Sequence, residues 1–119
     1  MKYVDGFLVP VARKNLAAYA KVSKVAGKVW RELGALEYRE CVGEDMNVPG
    51  LTGFSGTLQV KRGEVVVFSW ITFKSRAHRD RVNKKVMADP RVKALCNPKK
   101  PVFDFTRMVY GGFEVFVDE

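Results

Sequence analysis

A chain of 119 residues with 47% hydrophobic and 12% aromatic content fits a single folded domain spanning residues 1–119, and disorder is excluded by the even mixing of charge with Val, Leu and Phe. Two distant cysteines, Cys41 and Cys96, with one histidine and no CxxC spacing argue against a disulfide framework, a metal site or a cofactor, and both thiols are expected to be buried. The net charge of +8 is local: residues 74–100 hold ten bases against two acids, and the remainder is balanced.

Alternating aromatic and β-branched residues from Tyr3 to Val11 predict strand 1. Its start, Met1-Lys2-Tyr3-Val4-Asp5, carries an acid where a signal peptide needs apolar residues, and apolar runs elsewhere are only strand-length. A cytoplasmic protein that does not engage the membrane is expected. From Arg13 to Leu33, apolar residues recur at three and four with lysines opposite, which predicts helix 1, stopped by Gly34. Ala35 to Val42 reads as an edge strand whose Glu37, Arg39 and Glu40 discourage edge-to-edge pairing.

Residues 43–63 contain five glycines and predict a long connector, extended at most over Thr57 to Lys61. Met46 to Phe54 is a candidate lid or partner-reaching loop, with a passive insertion as the alternative. Val65 to Phe73 is the most apolar run and predicts strand 3, buried on both sides. Ser75 caps a helix through about Ala88, and Asp89-Pro90 restarts a short helix ending near Cys96. Pro98 and Pro101 close that region, and Thr106 to Val117 reads as strand 4, with a bulge or close backbone approach at Gly111-Gly112.

Strand, helix, strand, stated twice, predicts an α+β ferredoxin-like βαββαβ fold with an antiparallel four-stranded sheet. Both strand parities are largely apolar, so a homodimer of the α/β-barrel type is expected. The purer parity (Val4, Leu8, Val66, Phe68, Trp70, Val109, Phe113, Val115) is assigned to the helices. The other parity, interrupted by Tyr3, Asp5, Ser69, Tyr110 and Glu114, is assigned to the second sheet. Buried carboxylates need partners or a cavity, so Asp5, Ser69, Tyr110 and Glu114, with His78 nearby, are candidate contacts for a small organic ligand. The alternative is that they only fix the dimer register.

His78 lies in the first turn of helix 2, where the helix dipole favours neutral imidazole and proton transfer with a carboxylate is conceivable; a packed residue is the alternative. Arg76 and Arg79 in that turn are candidate anion ligands. No GxSxG elbow, GxGxxG or P-loop occurs, so covalent catalysis has no visible apparatus.

The segments Tyr3-Val4-Asp5-Gly6-Phe7, Gly34-Ala35-Leu36-Glu37-Tyr38, Phe68-Ser69-Trp70, Ser75-Arg76-Ala77-His78-Arg79-Asp80, Val86-Met87-Ala88-Asp89-Pro90 and Tyr110-Gly111-Gly112-Phe113-Glu114-Val115 resemble the YbaA-like family of uncharacterised bacterial proteins, nearly end to end. The resemblance implies a dimeric α/β barrel and no defined activity. A label carried by some members implies a link to signal-recognition-particle RNA. Nucleic acid is therefore the alternative partner, through the basic segment 74–100. Because Arg62-Gly63-Glu64-Val65-Val66-Val67-Phe68-Ser69 lacks the aromatic pattern of RNA-recognition strands, such binding is expected to be weak and salt-sensitive.

Overall fold

A computed structural model describes residues 1–95, 99 and 101–119. The chain runs β1 (Tyr3–Ala12), a 3-10 turn (Arg13–Asn15), α1 (Leu16–Glu32), β2 (Glu37–Val42), α2 (Phe54–Thr57), β3 (Glu64–Phe73), α3 (Arg76–Ala88), α4 (Pro90–Leu95), a second 3-10 turn (Phe105–Arg107) and β4 (Val109–Glu114). The strands form one antiparallel sheet in the order β2-β3-β1-β4. This is the ferredoxin-like α+β arrangement.

Local chemistry places the helix ends. Gly34, at φ +126°, lets α1 stop in a Schellman turn: the Ala35 amide donates to Trp30 O at 2.9 Å and the Gly34 amide to Arg31 O at 3.3 Å. Ser75 Oγ accepts from the His78 amide at 3.1 Å and so caps α3. Asp89 accepts from the Arg91 amide at 2.8 Å, with Pro90 opening α4. The predicted end of that helix at Cys96, and Pro98 beyond it, lie outside the described residues.

The core lies between the helices and one sheet face. Val29, Ala35, Ile71, Phe73, Val82, Val86 and Val92 pack there with Tyr3, while Val9, Val11, Tyr19 and Val67 form a second cluster. Fully burying each Val or Phe contributes about 1.5–3 kcal/mol.

This packing reverses the face assignment made from the sequence. Tyr3, Asp5, Val9, Ser69 and Ile71 face the helices, whereas Val4, Leu8, Val66, Phe68, Trp70, Val109 and Phe113 share the open face. The physical reason is the position of the counter-charges: Asp5 finds its partners on α3, so its parity must point there. On the open face Phe68 is 43% and Phe113 60% exposed, while Val66 and Thr72 toward the ends of β3 are covered at 4% and 7%, so the centre of that face is open within a single chain.

Other expectations are also corrected. The extended piece at Thr57 to Lys61 is replaced by the one-turn α2 and a turn in which Gln59 takes φ +52°. Strand 4 begins at Val109 rather than Thr106, because Asp104 captures the Thr106 amide at 3.0 Å and starts a 3-10 turn. The β1–β4 register runs without a bulge, but the close approach is present: a Cβ on Gly112 would collide with the Tyr3 hydroxyl. Cys41 is exposed on the edge strand, not buried.

Behind the second 3-10 turn, Arg107 clamps Glu64 with two bonds, of 2.6 and 2.9 Å, and donates to Gln59 O at 3.2 Å. The Arg107 guanidinium is the main reason that the Glu64 carboxyl is held down at about 2. A carboxylate depressed in the folded state contributes stability above its unfolded value and loses it as the pH falls. Urea midpoints should therefore drop between pH 4.5 and about 2, and Arg107→Gln should flatten that drop.

Candidate functional site

The helix-facing polar groups fall into two clusters with different chemistry. In the first, Asp5 is 1% exposed and fully partnered. Its Oδ1 accepts from Arg79 at 2.7 Å and from the Tyr110 hydroxyl at 3.0 Å, and its Oδ2 accepts from Asn83 at 3.2 Å. Arg79 also reaches Asp80 at 2.8 Å and lies 4.8 Å above the Tyr3 ring. The indole of Trp30 donates to Asn83 at 2.9 Å, carrying the network to α1. Burial and the Asp5 charge push the Tyr110 pKa up and keep its proton in place. This cluster ties α3 to β1 and β4.

The remaining predicted residues around it do not converge on a cavity. His78 Nδ1 accepts the Lys74 amide at 3.0 Å and its ring meets Phe73 edge-on. Burial first, then Lys74, Arg81 and Lys85, lower its pKa, and the ring serves the start of α3. Glu114 and Arg76 are exposed, and Arg79 is occupied by Asp5. Among the described residues no three His, Cys, Asp or Glu side chains gather as a metal requires.

Ser69 belongs to the second cluster. Register pairs it with Glu40 on β2, and both face α1, where Tyr19 and Ser23 meet them. The Ser23 and Tyr38 hydroxyls lie 3.0 Å apart. Gly27 makes this possible, because a Cβ there would come within 2.7 Å of the Tyr38 ring. Tyr19, Ser23 and Gly27 therefore form a small and hydroxylic stripe at fourfold spacing on α1, against the edge strand.

Between that stripe and β2 opens a cleft of about 760 Å³, with Leu16, Ala20, Val42 and Val67 as apolar wall and Lys24 and Lys28 among the residues on its α1 side. The volume is that of a small-molecule pocket. Burial raises the Glu40 pKa, although the Tyr19, Ser69 and Ser23 hydroxyls favour its charge. Glu40 Oε2 is sealed from solvent and has no hydrogen-bond partner, so the surrounding hydroxyls do not complete its coordination. The same enclosure pushes the Tyr38 phenol up to about 12 and raises Tyr19 further, so both are donors at neutral pH.

Sequence reasoning missed Tyr19 and Tyr38 as polar groups, together with Ser23 and Glu40. One signal was available: Glu40 shares its strand parity with Tyr38, opposite to Glu37 and Arg39.

Comparison with known proteins settles the family. Residues 2–105 match the model of a protein family of unknown function, DUF1428. The chain is 41% identical over 119 residues to the uncharacterised protein YbaA of Escherichia coli K12, covering all of both chains, and equally to that of Shigella flexneri. The chain belongs to the YbaA-like DUF1428 family. Among solved structures, an uncharacterised NIPSNAP domain protein from Burkholderia xenovorans is similar at a TM-score of 0.57 and 12% identity, over 98% of this chain and 99% of that one. A nipsnap family protein of unknown function from Agrobacterium tumefaciens is similar at a TM-score of 0.56 and 13% identity, over 94% and 86%. At such identities these likenesses concern the fold alone, and they agree with the ferredoxin-like α+β fold of this DUF1428 member. No helix in its described residues is long and apolar enough to cross a membrane.

Proposed function

We propose that this protein is a homodimer whose subunits each receive a small organic molecule in the cleft between α1 and β2. The observation that carries the reading is Glu40 Oε2, a buried carboxylate oxygen without a partner at the wall of a ligand-sized cleft. Leaving such a group unsatisfied costs about 1–3 kcal/mol or more, a penalty relieved when the Glu40 side chain, which lines the cleft, turns Oε2 toward a ligand donor. Sites that bind commonly sacrifice stability in this way.

The test compares stability and binding in Glu40→Gln. A carboxyl whose folded pKa is raised favours the fold below its unfolded value of 4.5 and opposes it as the pH rises. Glu40→Gln should therefore melt higher than the parent at pH 7–8, the gain shrinking toward pH 4, while ligands that donate to Glu40 bind more weakly. A variant less stable at every pH would mark Glu40 as a structural residue and end the reading.

One observation favours a second reading. Phe68, Trp70 and Phe113 are displayed together on an open sheet, as base-stacking surfaces are. However, the bases of that rim, Lys2 and Arg39, are matched by Asp118 and Glu37, and Lys2–Asp118 pair at 3.5 Å. The uncompensated bases of α3 lie across the sheet from these rings. Binding of a single-stranded RNA should accordingly be weak and vanish with added salt; salt-resistant binding that Phe68→Ala abolishes would favour RNA over the dimer.

A further inference from the structure

The chemistry of the cleft is graded from floor to rim. At the floor, Tyr19 and Ser23 are 8% exposed and lie beside the Glu40 carboxyl, with Ser69 behind it. The apolar lining comes from buried Val67, half-buried Leu16 and Tyr38, and exposed Ala20 and Val42. At the rim, cations dominate, but not all are free. Arg31 donates to the Ala35 and Leu36 carbonyls, and Arg39 to the Tyr38 carbonyl at 3.2 Å. Glu32, the acid on that side, is held by Arg91 at 2.8 Å. Lys24 and Lys28 remain, one helical turn apart, exposed, and without an ion-pair partner among the described residues. A molecule filling the cleft thus meets an acceptor at the bottom, apolar walls, and two ammonium groups at the mouth.

We propose that the ligand is a small aromatic hydroxy acid, with its hydroxyl donating to Glu40, its ring between the apolar walls and its carboxylate at Lys24 and Lys28. This rests on the cleft reading above and adds the ligand class. The polarity is fixed by the site: an acid beside Glu40 would face it with like charge, and a hydroxyl at the mouth would leave the Glu40 carboxyl that lines the cleft without a ligand donor. Lysines hold a carboxylate as mobile point charges, so the rim selects for charge and tolerates variation in length.

The probes are para-hydroxybenzoate, para-methoxybenzoate and para-hydroxybenzyl alcohol, titrated into the full-length protein with the Tyr19 and Tyr38 ring resonances as reporters. The hydroxy acid should bind about ten-fold more tightly than either analogue, the effect of one charge-assisted contact. The double variant Lys24→Gln, Lys28→Gln should remove the advantage over the alcohol, and Glu40→Gln the advantage over the methoxy acid. Binding of the alcohol as tight as that of the acid, or acid binding unchanged in the double lysine variant, would overturn the ligand class while leaving the cleft intact. If none of the probes moves the Tyr19 and Tyr38 resonances and a panel of neutral aromatic fragments also fails, the cleft reading falls with it. The lysines lie on the exposed side of α1, so their removal tests charge without threatening the fold.

Discussion

Asp5→Ala is expected to destabilise the protein by about 3–5 kcal/mol, the cost of stranding a buried charge whose partner has been removed. Arg79 would keep its guanidinium beneath the sheet, with only 13% of its side chain exposed, and would lose the 2.7 Å contact that Asp5 provides. Asn83 and the Tyr110 hydroxyl would lose the same acceptor. Because Trp30 reaches Asp5 through Asn83, the loosening should spread from β1 and α3 to α1. Arg79→Met should cost at least as much as Asp5→Ala, since it leaves the 1%-exposed carboxylate with only the neutral donors Asn83 and Tyr110, whereas Arg79 without Asp5 still has Asp80 at 2.8 Å. The double variant should be less damaging than the sum of the two, because each single change leaves the other charge without its buried partner. Urea unfolding at one fixed protein concentration measures all three, which keeps any contribution from association constant. A loss below about 1 kcal/mol for Asp5→Ala would place Asp5 outside the structural core.

That network also marks what a linear reading reaches. The strands, the α1 stop at Gly34, the Ser75 cap and the Asp89-Pro90 restart were legible because each depends on residues a few positions apart. Asp5 was legible as a buried acid in need of a partner. Its partner was not, since Arg79 is 74 residues away and alternation divides a strand into two sets without naming the set that meets the helix. The reversed face follows from this. Glu40 was hidden differently: with Glu37 and Arg39 it reads as edge-strand charge, and only its pairing opposite Ser69 and beneath Tyr19 shows that it points inward. The spacing of Tyr19, Ser23 and Gly27 was present in the sequence, but a hydroxyl and a glycine in an apolar stripe indicate a site only once the Tyr38 ring is seen against them.

The correction strengthens the expectation of a dimer, because the face left open is now the purer hydrocarbon one. Four strands of six to ten residues span roughly 500 Å² in plan, at about 3.3 Å per residue and 4.8 Å between strands. Side-chain relief and the flanking Phe54, whose ring lies tilted against Phe68 at 6.3 Å, bring this toward the roughly 800 Å² per partner of a stable interface. Val115, beyond β4, lines the same face beside Phe113. A rim with Lys2 and Arg39 against Glu37 and Asp118 is charge-balanced, as a two-fold axis requires of a surface that meets itself. The protein should therefore have the mass of two chains at micromolar concentration in light scattering. Phe68→Asp should convert it to a monomer and lower its melting temperature, since the axis would bury two carboxylates in one apolar layer. If the face were open to solvent in the working protein, the same substitution would change stability by no more than about 0.5 kcal/mol and leave the mass of the parent unaltered. A parent that is monomeric, with Phe68→Asp as stable as the parent, would give the open sheet a different occupant and remove the barrel from the reading of this fold.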